Sequence, residues 1–246
     1  MSYLRDLSRS QKNSFLNAFE FFSDRAHQKT YEDLIASISS LQSWLEYYVT
    51  TANFESKVSD FFSEAVNDAI LAYSFARVGT WRPALQSLRS TLENSLYFLY
   101  YKDHPIELLL WEKQKHRLGF TDLNLYFKGH PLLCGHNHQI ETGIDAIEKS
   151  YAELSKAVHG SVAYFRMVGK SSFEYLPSIH VKDAVELSRF RSIVRRLIEG
   201  INQLLVAMFR ESLQGAALPS LRQGIAGAVS AAKRAAIKKS FNIMLH

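Results

Sequence analysis

A single cysteine, Cys134, stands in 246 residues. It excludes an intramolecular disulfide framework, cannot by itself supply a four-thiolate zinc site, and suits a reducing compartment. Long apolar runs are missing too. No stretch approaches the roughly 18 residues of a membrane span, and the start, MSYLRDLSRSQKNS, lacks the apolar core of a signal peptide, so a cytoplasmic protein is expected. No internal repeat is visible, and the only low-complexity feature is an Ala-rich end. That end, residues 216–246, has no acid. Its bases Arg222, Lys233, Arg234, Lys238 and Lys239 account for the whole net charge of +5 and leave residues 1–215 balanced at 24 bases and 24 acids.

What is present is core-forming material. Hydrophobic residues make up 47% of the chain and aromatics 13%, enough for a buried core in which rings share the packing. The apolar periodicity is helical nearly throughout; only Val162–Ile179 alternates β-branched and aromatic residues in the manner of short extended segments. The expected fold is all-α, a multi-helix bundle with a basic C-terminal helical tail. Helices are expected over Ser10–His27, Tyr31–Thr50, Lys57–Val78, Pro83–Tyr101, Pro105–Leu118, Ile140–His159, Val181–Leu213 and Leu221–Ser240. The first two would form a hairpin within residues 1–50, followed by a core over 57–213 and the tail over 216–246. Gly79 and Gly119 sit where helices should stop, and KGHPLLCGHN, residues 128 to 137, reads as a loop.

The longest helix carries an apolar stripe, Val185, Leu187, Phe190, Ile193, Val194, Leu197, Ile198, Ile201, Leu204, Leu205 and Met208, too long for one neighbour to cover. Arg189, Arg191, Arg195, Arg196 and Glu199 lie off that stripe and read as a solvated face.

Two segments carry candidate chemistry. In YAELSKAVHGS, residues 151 to 161, Tyr151, Ser155 and His159 recur at four-residue steps beside a core face made by Ile144, Ile147, Tyr151, Leu154 and Val158. His159 precedes Gly160 at a helix end, where the negative pole of the helix dipole favours a protonated imidazole. It is either a proton-trading acid or base or simply the polar cap of that end. In LRSTLENSLYFLYY, residues 88 to 101, Leu88, Leu92, Ser95, Leu96 and Leu99 form the buried stripe, and Arg89 and Glu93 stand one turn apart. They are either an intrahelical ion pair or, since Arg before Glu is the weaker order for a helix, a tertiary device in which Arg grips a phosphate or carboxylate with two parallel bonds.

Leu88-Arg89-x-x-x-Glu93 followed by Tyr151-x-x-Leu154-Ser155-x-x-x-His159-Gly160 resembles the uncharacterised prokaryotic branch of the HEPN-like helical superfamily, found near toxin–antitoxin and abortive-infection genes. The resemblance spans Lys57 to Met208. It implies a metal-independent, RNA-cleaving or RNA-binding effector without a cofactor, working as a homodimer with a protein partner encoded nearby. In it His159 would be the acid or base, Arg89 the phosphate clamp, Glu93 its orienter, and Ser155 and Tyr151 supporting donors. The chain departs from the superfamily's ribonuclease signature, an Arg a few residues before the His: the corresponding positions here are Ala152, Glu153 and Leu154. The Arg must then come from another helix, or the fold serves binding alone as a sensor or scaffold whose Arg89, Glu93 and His159 fix helix register.

The loop HPLLCGHNH offers His130, Cys134, His136 and His138, four zinc donors in a spacing of no common finger, so a solvated or substrate-contacting loop competes with a metal-dependent hydrolase. The tail, with Leu221, Ile225 and Val229 on one face, would lie on a partner, a nucleic-acid backbone or, least well given its thin apolar face, an anionic membrane; Arg222, Lys233, Arg234, Lys238 and Lys239 are its nucleic-acid candidates.

Overall fold

The structure, a computed structural model, describes residues 27–160, 164–165, 184–214 and 217–245, together with Asn13. Among the described residues there are nine α-helices and no strand: α1 Gln28–Trp44, α2 Ser56–Arg77, α3 Trp81–Tyr101, α4 Pro105–Glu112, α5 Phe120–Gly129, α6 Ile144–Val158, α7 Ala184–Met208, α8 Pro219–Ala228 and α9 Ala231–Phe241. The protein is an all-α multi-helix bundle. The expected helix before His27, and with it the hairpin, lies outside the described residues apart from Asn13; so does the stretch 162–179 apart from Tyr164 and Phe165.

The core follows the apolar stripes. α2 and α3 pack as a pair, with Phe62 and Phe98 rings 5.1 Å apart, and α7 runs through the middle against α1, α3 and α6. From Gly200 to Met208 every residue of α7 is buried, the polar Asn202 and Gln203 included. The stripe is shorter than the pattern suggests, because Val185 is 60% exposed. Two devices set how α7 meets its neighbours. Asn202, fully buried, accepts from Trp44 Nε1 at 3.0 Å and donates to Ser40 Oγ at 2.7 Å, tying α7 to α1. On the other side Gly143, at φ +74°, starts α6 directly against Gly200; a Cβ there would lie 2.8 Å from the Gly200 Cα.

Several boundaries differ from expectation for tertiary reasons. Where a helix over Pro105–Leu118 is expected, α4 stops at Glu112. Gln114 turns left-handed, and the chain runs back so that the Leu118 carbonyl accepts from Tyr97 Oη at 2.7 Å. α5 is an additional helix: Gly119, read only as a stop, also starts it, its N–H donating to Asp122 Oδ2 at 3.1 Å, with Leu123 and Phe127 one turn apart in the core. The expected 221–240 helix is two, α8 and α9, broken where the extended Ser230 presents its N–H to Glu199 Oε1 of α7 at 2.8 Å. The tail is also no appendage. Leu221, Ile225, Ile237, Phe241 and Ile243 are buried, and α8 packs on α1 with Gly224 against Ser43.

Candidate functional site

Helices α3 and α6 lie side by side and antiparallel: Arg89 reaches Tyr151 near their middles, while Arg82 at the start of α3 stands at Gly160, just past the end of α6. The Arg89 guanidinium donates from Nε to Glu93 Oε1 at 3.0 Å and from Nη2 to Tyr151 Oη at 2.8 Å, with Cζ 4.9 Å from the Tyr151 ring centre. Phe120, the first residue of α5, stacks on the Tyr151 ring at 3.7 Å and nearly parallel. Burial alone would lower the Arg89 pKa, but the bond and charge of Glu93 and the Tyr151 contact outweigh it, so the value lies above the ordinary one. The side chains of Arg89 and Glu93 are 24% and 30% exposed, so the pair is neither sealed nor freely solvated. Beside them burial first, then the charge of Glu93 and the neighbouring Tyr151, push the Tyr97 hydroxyl up.

Three of the five proposed catalytic residues, Arg89, Glu93 and Tyr151, are therefore brought together from helices 62 positions apart in the chain. Ser155 and His159 are not part of that contact. Each four-residue step along an α-helix advances about 40° beyond a full turn. The stripe accordingly leaves the core margin as it goes: Tyr151 and Ser155 are half-buried and His159 is exposed. His159 ends α6, its N–H donating to the Ser155 carbonyl at 3.1 Å, and Gly160 follows at φ +68°. From Tyr151 to His159 is about 12 Å along the axis. The Arg89 guanidinium is engaged by Glu93 and Tyr151 near the helix middles, whereas His159 stands exposed at the end of α6. Among the described residues a guanidinium that reaches that end is Arg82, exposed, with Nη2 3.6 Å from where a Cβ of Gly160 would lie. Nothing in the spacing of the sequence singled Arg82 out; only the antiparallel register of α3 and α6 brings it there.

The tail bases divide. Arg222 is 5% exposed and donates to the Leu213 carbonyl, so it holds α8 to the turn before it and cannot contact nucleic acid; this corrects its place among the candidates. Lys233 pairs with Glu199 at 3.0 Å, and Arg234 is half-buried. Lys238 and Lys239 are exposed. The histidines of the 130–138 loop turn to separate partners. His130 Nδ1 accepts from the Leu132 N–H at 3.1 Å, His136 Nδ1 meets Glu141 Oε2 at 3.1 Å, and His138 Nδ1 meets Thr142 Oγ1 at 3.1 Å. Among the described residues no three His, Cys, Asp or Glu side chains are grouped to hold a metal ion. The Glu141 carboxylate also accepts from Ser240 Oγ, and His136 packs on the Phe241 ring, so this loop anchors α9.

A depression of about 540 Å³ lies elsewhere, between α2 and α4, over Phe61 and Trp111 with Asp60, Glu64 and the Lys57–Glu112 ion pair at its rim. No helix among the described residues is long and apolar enough to cross a membrane. Neither a family model, a characterised protein nor a solved structure matches the chain.

Proposed function

We propose that this chain is an RNA-cleaving effector of a prokaryotic defence or toxin–antitoxin system, in which His159 transfers the proton without a metal and Arg82, rather than Arg89, steadies the phosphate beside it. The observation that carries this reading is the exposed His159 imidazole at the end of α6 with the Arg82 guanidinium at the adjoining Gly160. A ribose 2′-hydroxyl attacking the adjacent 3′-phosphate loses its proton to a base while the P–O5′ bond breaks and the departing 5′-oxygen takes up a proton, and the charge growing on the phosphoryl oxygens is what an arginine fork stabilises. Arg89, Glu93 and Tyr151 then act by holding α6, and so His159, against α3. The defence setting and a homodimer with two sites in one cleft rest on the family resemblance.

The test is incubation of the purified protein with total RNA and with tRNA in EDTA. The parent should cleave, His159→Ala should lose about 10²- to 10⁴-fold, and Arg82→Ala should lose activity at unchanged melting temperature. No cleavage by the parent, or equal cleavage by parent and His159→Ala, removes the catalytic claim.

A second reading, a non-catalytic sensor or scaffold, draws support from α4. Its Ile106, Leu109, Leu110 and Trp111 are 70%, 52%, 38% and 39% exposed, an apolar face of the kind that partner proteins cover. The register-fixing buried network this reading requires is not Arg89, Glu93 and His159 but Trp44, Asn202 and Ser40.

A further inference from the structure

The side of α7 away from the core is also ordered. Ser188, Arg191, Ser192, Arg195, Arg196 and Glu199 recur at three- and four-residue steps and line a groove of about 370 Å³ that Ser230, at the α8–α9 junction, closes. The arginines that read in the sequence as a solvated face are therefore walls of a depression. Arg191 is pinned by Asp33 of α1, and its buried Nε has no acceptor among the described residues. Arg196 is pinned by Glu153 and by Ser150 Oγ, the latter 3.0 Å from Nε. Between them Arg195 is exposed and meets no acid among the described residues. Among the described residues lining the groove the one carboxylate is Glu199, already engaged by Lys233 and by the Ser230 N–H.

Two guanidiniums held in fixed orientation, a third with no counter-ion among the described residues, and serine hydroxyls between them make a receptor for oxyanions. The pinned arginines keep N–H donors to spare and lose little side-chain freedom on binding. Arg191 and Arg195 stand about 6 Å apart along the helix, so they would face neighbouring phosphates of one strand rather than a single ion. Among the described residues no aromatic ring lines the groove, so they offer nothing that stacks on or reads a base. The depression over Phe61 and Trp111 is rimmed by Asp60, Glu64 and Glu112 and would repel the same ligand. We infer that the groove of Arg191, Arg195 and Arg196 binds the phosphodiester backbone of RNA without regard to base sequence. This rests on the RNA reading above and adds the surface on which the strand is held.

The experiment is fluorescence anisotropy of labelled homopolymer RNA oligonucleotides with the intact protein over a range of salt. Arg195→Glu and Arg195→Ala are the variants, because Arg195 supports no neighbour and its loss should leave the melting temperature unchanged. Arg195→Glu should weaken binding by about tenfold or more at low salt. Arg195→Ala should reduce the slope of log affinity on log salt by about 1, alike for every base composition. Parent-like affinity and slope in both variants, with the parent binding RNA, overturn the groove and leave the RNA reading standing. A parent that binds no RNA, yet is stabilised by inorganic tripolyphosphate in an Arg195-dependent way, overturns RNA as the ligand while the phosphate chemistry of the groove survives. Stabilisation by neither sinks both.

Discussion

Arg89 and Tyr151, on the neighbouring antiparallel helices α3 and α6, are joined by a 2.8 Å hydrogen bond from guanidinium to phenol. It is the polar contact that sets where α6 lies along α3. Tyr151→Phe keeps the Phe120 stack and removes only this bond, so it should cost about 1 kcal/mol, or roughly 2–4 °C in melting temperature. Parent-like melting of Tyr151→Phe would show that the aromatic stack alone sets the register.

The Asn202 side chain serves Trp44 and Ser40 at once in a fully buried position. Asn202→Ala strands the Trp44 N–H in the core, and a loss of about 3 kcal/mol is expected by chemical denaturation. His159→Ala, at an exposed helix end, should stay within about 0.5 kcal/mol in the same assay.

Gly143 and Gly200 let the start of α6 touch the α7 backbone. A Cβ on Gly143 meets backbone and a left-handed φ together, whereas on Gly200 the nearest atom would be 3.1 Å away. Gly143→Ala should therefore cost about 3 kcal/mol or more and Gly200→Ala about 1 kcal/mol. Equal melting temperatures for the two variants would contradict this crossing.

Acid should weaken the fold in two steps. Burial, ahead of the opposing pull of Asp103, lowers His130 below its ordinary 6.5, so the unfolded chain takes up that proton first and stability falls as pH drops below 6.5 towards the folded value. Glu199 is raised by burial but lowered more by Ser230 and Lys233. Its contribution is full above the ordinary 4.5 and is lost as pH falls from there through the folded value. In denaturant titrations from about pH 8 to about pH 4, His130→Gln should remove the upper step and Glu199→Gln should shrink the lower, which Glu141 and Glu148, lowered likewise, share. Unchanged profiles would refute both assignments.

Arg222 and the Lys238–Lys239 pair, all in the basic tail, should behave oppositely. Arg222→Ala leaves the Leu213 carbonyl without this donor and should cost about 1–3 kcal/mol. Replacing both lysines by Ala should leave stability within about 0.5 kcal/mol and lower only the affinity for polyanions. Circular dichroism melts beside RNA binding would separate the two.

What the sequence by itself determined is whatever local spacing controls: the all-α class, the cores of the long helices, the buried faces around Leu92, Leu154 and Leu197, and the Arg89–Glu93 step on one helix face. These follow from the helical period and the gain from burying apolar side chains, and a chain of this composition leaves them little freedom. Tertiary structure decided the rest, because it depends on contacts between distant positions. The break at Ser230 needs Glu199, the early stop of α4 needs Tyr97 to receive Leu118, and the burial of Arg222 needs the turn at Leu213. The placing of Arg82 at Gly160 and of Arg89 on Tyr151 is of the same kind: a spacing pattern cannot fix it, since it depends on how far α6 slides along α3.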